Sequence, residues 1–299
     1  MKKNAFNSPV AIFLNVCLIS SVAAAIFMYV NKISIISGSG NMYITLVSVI
    51  PGLTAIGISA FNKAPLEKLG YRPQMKGHGR FYLLAWVSPA ILAAAGGALY
   101  FIIYPGSFDP GMKLMTKTLV SQGVNPGNVS TLYILQLIGG LFIAPIVNLL
   151  SCGMEELGFR GFLLPAVKEK TSSTQSAVII SSLIWGIWYV PLAAIGYRYG
   201  AISVEESWKA MVFVVLFSLM SGCIISWLRL RTNSILPGVL FRSGINGFAT
   251  AAAWFVAEPY NVFMGPVTWG VLGGLPLLLC GALCISFCEG NKASVPVVE

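Results

Sequence analysis

Charge is what this sequence has least of. Only 10% of its 299 residues are Asp, Glu, Lys or Arg, against 56% hydrophobic. A soluble domain carries about 25% charged residues, because charge covers the surface that faces water. A water-soluble enzyme is therefore excluded. Histidine is nearly missing too: His78 is the only one. Six cysteines are present (Cys17, Cys152, Cys223, Cys280, Cys284 and Cys288), with no CxxC pair. Zinc and disulfide frameworks both fall away on that count, and no metal or cofactor is called for. Most of the cysteines lie in apolar runs, where a free thiol packs as a small hydrophobe. Cys280, Cys284 and Cys288 share one helix face by their spacing; Cys288, near the membrane edge, is a candidate for palmitoylation, although ordinary packing is the plainer reading. A dense basic stripe with interleaved aromatics is also absent, so the net charge of +9 does not point to nucleic acid.

What is there instead is a series of apolar runs of about 20 residues, the length that crosses a bilayer. They predict spans at Val10–Val30, Met42–Phe61, Phe81–Tyr104, Thr131–Leu150, Ser176–Ile195, Ala210–Leu228, Ile235–Val256 and Pro266–Phe287. The fold class is thus all-α, a polytopic membrane bundle of about eight helices, whose constant partner is the lipid bilayer. The first run follows Lys2 and Lys3 but is too long for a typical signal-peptide core and lacks a small-x-small cleavage site; it reads as a retained span. No linker or repeat divides the chain, which reads as one integral membrane domain over 1–299.

Lys and Arg distribute unevenly between the two ends of such a bundle. One end holds Lys2, Lys3, Lys63, Lys68, Arg72, Lys76, Arg80, Arg160, Lys168, Lys170, Arg229, Arg231 and Lys292. The other holds Lys32, Lys113, Lys117, Arg198 and Lys209. The richer end belongs in the cytoplasm, which puts both termini there and agrees with an even span count; a cell (plasma) membrane is the expected location. The longest connection, Pro105–Ser130, contains PGSFDPG and NPGN, so turns should dominate it, and it is placed to cap the outer end of the bundle. Asn128-Val129-Ser130 matches a glycosylation sequon, a pattern too common by chance to carry weight.

Ionisable groups inside such a bundle are costly and usually face a partner or a cavity. Between Leu137 and Val167 the only ones are Glu155, Glu156 and Arg160. A helix puts Glu156 and Arg160 on one face in the favourable order for an ion pair. Glu155 points roughly 100° away and has no local partner by that geometry, which suits a general base; the alternative is that the patch merely ends the fourth span. Arg242 lies well inside the seventh span, with Asn246 one turn later on the same face. Unpaired, it costs several kcal/mol, and the anions at matching depth are Glu155 and Glu156. Two helices far apart in sequence are therefore expected to meet around one polar cluster. Trp185 and Tyr189 share a face of the fifth span, which ordinary packing would also explain.

At these residues the sequence resembles a known family. EELGFRGFLLPAV, from Glu155 to Val167, is similar to the EExxxR motif of the CPBP intramembrane proteases, which include the type II CAAX prenyl endopeptidases and related bacterial bacteriocin-processing and immunity proteins. WGIWYVP, Trp185 to Pro191, resembles the second motif, FxxxH. SILPGVLFRSGIN, Ser234 to Asn246, resembles the third, HxxxN. LGYRP, Leu69 to Pro73, is a looser match. The motifs occur in family order within a core at 131–256. The resemblance implies a CAAX-protease-like helical core in a bacterial protein, with a cavity open to the cytoplasm in which a membrane peptide is cleaved. Carried across, Glu155 is the base that activates water, Glu156 and Arg160 support it, and Asn246 is an oxyanion donor.

The departures matter as much. Tyr189 stands at the second motif's histidine and Arg242 at the third's, while His78 lies in the loop KGHGR and cannot substitute. A phenol is a poor base near neutral pH, and a guanidinium cannot accept a proton at all. Arg242 also brings the cluster of Glu155, Glu156 and Arg160 from a charge of −1 to 0, and a direct bond to Glu155 takes the space that water needs. Losing one oxyanion donor or proton-handling partner costs roughly 10²–10⁴ in rate. Three readings remain open. The first is a weakly active or inactive homologue that binds a membrane protein or peptide partner in the retained cavity. The second is a divergent endopeptidase with Glu155 as base and Arg242 and Asn246 as oxyanion donors. The third is a transporter or channel.

Overall fold

The computed structural model describes residues 8–35, 38–200 and 203–288. Lys2, Lys3 and Lys292, three of the charges used to orient the chain, lie outside the described residues. The first three long helices are α1 (Pro9–Val30), α2 (Gly38–Phe61) and α3 (Gly79–Ile103). A short α4 (Lys113–Ser121) lies in the long connection. Next comes a nearly continuous helical rod: α5 (Val129–Ile138), a π-helical turn at Gly139–Ile143, α6 (Ala144–Val147), α7 (Leu149–Glu156), a second π-helical segment at Leu157–Leu163, and α8 (Leu164–Lys168). The last four are α9 (Thr174–Ala194), α10 (Ser207–Thr232), α11 (Leu236–Phe248) and α12 (Val271–Ser286).

Local chemistry accounts for the helix starts. Ser8 Oγ accepts from the Ala11 amide at 3.2 Å, with Pro9 at the first helical position, and Ser173 Oγ accepts from Ser176 at 3.0 Å to begin α9. Both satisfy amides that the helix itself leaves unpaired. Asn128, the sequon residue, caps α5 by accepting from the Ser130 and Thr131 amides.

Among the described residues, six helical stretches are long and apolar enough to cross a membrane: Pro9–Val30, Ser39–Phe61, Gly79–Ile103, Val129–Val147, Thr174–Ala194 and Val204–Thr232. The chain is a multi-pass helical membrane protein. The last two expected spans are shorter than their apolar runs. α11 has 13 residues and α12 has 16, about 20 and 24 Å at the α-helical rise. α11 stops early because the chain turns into a 3-10 helix at Ala251–Phe255 and pairs with the long connection Pro105–Ser130. The Asp109 amide donates to Phe255 O at 2.8 Å and Ala257 to Ser107 O at 2.8 Å, around an isolated bridge between Phe108 and Val256. That pairing joins the Pro105–Ser130 connection to the end of α11, and α4 makes part of the connection helical rather than all turn.

The helices meet through small residues around the motif segment. A Cβ on Gly158 would lie 2.6 Å from Pro51 Cβ of α2, and one on Gly52 would lie 2.7 Å from the Met154 carbonyl. These contacts let α2 lie directly against α7 and the second π segment. On the other side, Phe13 of α1 packs on Phe159 and Phe162 at centroid distances of 5.7 and 5.2 Å. Ser21 donates to the Trp188 carbonyl of α9 at 2.6 Å. α9 and α10 form the most extensive helix pair, and α11 packs between α3, α10 and α7. The motif segment is thus enclosed while the periphery stays apolar and exposed, as at Ile146 (74%) and Val147 (71%), where lipid is the solvent.

Candidate active site

The π-helical segment after Glu156 interrupts the ordinary α register where the motif acids sit. Such interruptions are frequent at functional sites. Glu155, Glu156 and Arg160 are fully buried, and Arg242 is 5% exposed. Glu156 and Arg160 form the expected pair at 3.3 Å. Glu155, which has no local cation, receives one from α11: Arg242 Nη1 lies 2.6 Å from Glu155 Oε2 and 3.5 Å from Glu156 Oε1. One guanidinium thus touches both acids, and the four charges sum to zero.

α9 supplies two more donors to the same carboxylate. Tyr189 Oη donates to Glu155, 2.8 Å from Oε2 and 3.0 Å from Oε1. Trp185 Nε1 donates to Oε2 at 3.1 Å. Arg242 Nη2 in turn donates to the Tyr189 hydroxyl, so that phenolic proton is free to point at Glu155. Arg242, Tyr189 and Trp185 together occupy most of the roughly four acceptor positions of a carboxylate. Both guanidiniums also lie over the Trp185 ring, Arg160 at 4.3 Å and Arg242 at 4.8 Å, a cation–π arrangement that gains strength when desolvated. On spacing alone, ordinary packing explains Trp185 as well. Its role was traceable only through its i, i+4 relation to Tyr189, since nothing in the spacing reveals that its N–H faces a carboxylate.

Asn246 is placed differently. Its Nδ2 lies 3.6 Å from Cys152 Sγ, and it is not bonded to Glu155. It does line the same cavity as Glu155 and Arg242, a space of about 760 Å³. From Glu155 this cavity extends along Ser48, Thr45 and Asn41 of α2 to Arg198, Tyr260 and Trp269. Those last residues belong to the end of the bundle where α9 and α11 finish and α2 begins. This is the Lys/Arg-poor end, so a cytoplasmic mouth and a cytoplasmic Lys/Arg-rich end are incompatible expectations. Among the described residues no group of three or more His, Cys, Asp or Glu is placed to hold a metal ion. His78 lies in the loop before α3, with Nδ1 3.1 Å from the Lys76 carbonyl, and takes no part in the cluster. All six cysteines are free thiols, and only Cys280 is not fully buried.

Fold and site define a class: a multi-pass helical membrane protein with a buried carboxylate of the EExxxR type at the end of a polar cavity. Comparison with known proteins narrows it. Residues 130–248, from the start of α5 to the end of α11, match the family of type II CAAX prenyl endopeptidase Rce1-like proteins. A CAAX prenyl protease 2 of Methanococcus maripaludis is 29% identical over 101 residues, which cover 33% of this chain and 36% of that protein. The chain therefore matches about a third of the length of this curated relative. Residues 130–248, which hold all three motif segments, are thus similar to the Rce1-like, CAAX-protease family.

Proposed function

We propose that this protein is a degenerate member of the family, weakly active or inactive as a protease, that binds a membrane protein or peptide partner in the retained cavity. The observation that carries this reading is the 2.6 Å contact between Arg242 and Glu155. A base must present a free lone pair to water, whereas this carboxylate faces a cation, a phenol and an indole N–H. A buried ion pair also resists opening, because separating it leaves two uncompensated charges. The location that fits is a cell membrane, with the Lys/Arg-rich end and both termini in the cytoplasm. The partner then reaches the cavity from the outer side or laterally from lipid.

A second reading, a divergent endopeptidase, is favoured by one observation: Glu155, Arg242 and Asn246 line one cavity. There Arg242 and Asn246 would meet an oxyanion and Tyr189 would orient water. The two readings separate in a cleavage assay. The full chain and its Glu155→Gln variant, each in proteoliposomes, are incubated with prenylated and unprenylated membrane peptides, and products are read by mass spectrometry. The degenerate reading expects no product that depends on Glu155. A product made by the wild type and lost in the variant overturns it.

A further inference from the structure

Of the charges that line the cavity, Glu155 and Arg242 pair with each other, but a third does not. Arg198 lies in the connection after α9 and forms no ion pair among the described residues, and its Nε is buried without a hydrogen-bond partner. Four rings hold its guanidinium: Phe217 at 4.7 Å, Tyr197 at 5.1 Å, Trp269 at 5.6 Å and Tyr189 at 5.9 Å. Its backbone is left-handed at φ +71°, between Gly196 and Gly200, which are also at positive φ. A non-glycine residue keeps that conformation only where its surroundings enforce it. A cation at the end of a spanning helix with a buried, unbonded Nε invites an anionic partner, and this one faces about 760 Å³ of space. Arg229, a fully buried guanidinium outside the central cluster, does not line this cavity: it donates to the Lys68 carbonyl at 3.5 Å and packs against Gly70, with its Nε and Nη1 unbonded.

We propose that the Arg198 end of the cavity binds the phosphate of an anionic phospholipid. A planar guanidinium fork suits phosphate oxygens, and basic pockets between spanning helices take up lipid head groups. Lipid has a way in: Val147 of α6 lines the cavity and is also 71% exposed on the apolar surface. Across from it, the lining from α2 includes Ile44 and Thr45. Tyr197, Tyr199 and Trp269 at this end are the residues that favour the head-group level. The charge selects an acidic head group over a zwitterionic one. Among the described residues Glu155 is the only acidic one lining the cavity, and Arg242 already pairs with it. The aromatic rings that would otherwise hold a choline or ammonium group are taken by Arg198 itself. This inference goes beyond the proposed function and is independent of it, since it is read at Arg198 whether or not Glu155 acts as a base.

The test is native mass spectrometry of the full chain in mild detergent, with phosphatidylglycerol, phosphatidylcholine of matched chains, or soluble glycerol phosphate added. Wild type should retain phosphatidylglycerol at least about tenfold better than phosphatidylcholine, whose phosphate is the same but whose choline cation finds no free anion among the described residues of this cavity; tenfold corresponds to about 1.4 kcal/mol. Arg198→Gln should bring retention down to the phosphatidylcholine level, and Arg198→Lys should fall between. Equal retention of the two lipids by wild type overturns the proposal, and so does undiminished phosphatidylglycerol on Arg198→Gln. Binding of glycerol phosphate, or of an acidic peptide, without phosphatidylglycerol reassigns the site and overturns it as well. Should Arg198→Gln not fold, the wild-type lipid ratio decides alone.

Discussion

Arg242 donates a hydrogen bond to the hydroxyl of Tyr189, so the two residues that stand at the family's motif histidines touch each other. They come from different helices, α11 and α9, and both reach Glu155. The replacements therefore form one unit. A cation at the third motif requires an acceptor and an anion, and the phenol and Glu155 provide them. A histidine at either position would remove the Arg242–Tyr189 contact and leave the other residue with its carboxylate contacts alone.

Tyr189→Phe is the mildest way to open that unit. It removes the bridging hydroxyl and leaves Arg242 Nη2 and one side of Glu155 without that partner, at an expected cost of about 1–3 kcal/mol. Trp185→Phe removes the N–H to Glu155 and weakens the cation–π contacts, with a loss in the same range. Thermal unfolding in detergent should show both variants less stable than wild type. An unchanged midpoint for Tyr189→Phe means that its hydroxyl does not hold the cluster together.

Helix spacing gives a second, geometric prediction. Gly158→Ala places a methyl 2.6 Å from Pro51 Cβ and 2.7 Å from the Pro51 carbonyl carbon, so α2 must move off the motif segment, at an expected cost of about 1–3 kcal/mol. Gly153→Ala, one turn before, meets nothing within 4 Å and should be neutral or slightly stabilising through helix propensity. The pair of unfolding curves is the check. Equal behaviour of the two variants contradicts the close approach of α2.

The connection Pro105–Ser130 should respond to acid. The Asp109 carboxylate accepts from the Lys113 and Gly111 amides at 2.8 and 2.9 Å, and these bonds, that of Lys113 above all, hold it below its ordinary value of 3.8. A lowered folded-state value contributes order above the ordinary value and loses it as pH falls through the folded one. Amide exchange at Lys113 and the start of α4 should therefore speed up, beyond its intrinsic pH dependence, as the solution is acidified below the carboxylate range. Asp109→Asn should remove the extra acid step. A wild-type profile that follows intrinsic exchange throughout contradicts the assignment.

Much of this molecule could be read from its residues, for identifiable reasons. The expected span Ser176–Ile195 starts within two residues of α9 (Thr174–Ala194) because its apolar run is continuous and unbroken by charge. The Glu156–Arg160 pair was legible because i, i+4 contacts are local. The meeting of Arg242 with Glu155 was legible from cost alone, since an intramembrane cation needs an anion and few were available. What could not be read depends on packing between distant segments. The bridge between Phe108 and Val256 ends α11 early although the apolar run continues. The π-helical segments at 139–143 and 157–163 leave no mark in an apolar periodicity. The Trp185 N–H, the Asn246 contact with Cys152 and the aromatic enclosure of Arg198 all require knowing which helix faces are in register.

The most direct test of the account is a double-mutant cycle on Glu155→Gln and Arg242→Gln, read as unfolding free energy of the full chain in bicelles. Each single change strands a buried charge and should cost about 3–5 kcal/mol, with Glu156 at 3.5 Å from Arg242 softening the loss for Glu155→Gln. The account predicts that the double variant is more stable than the sum of the single losses allows, with a coupling of about 2 kcal/mol or more. Additive losses would mean that Arg242 does not hold Glu155, and that the carboxylate is free to act as a base.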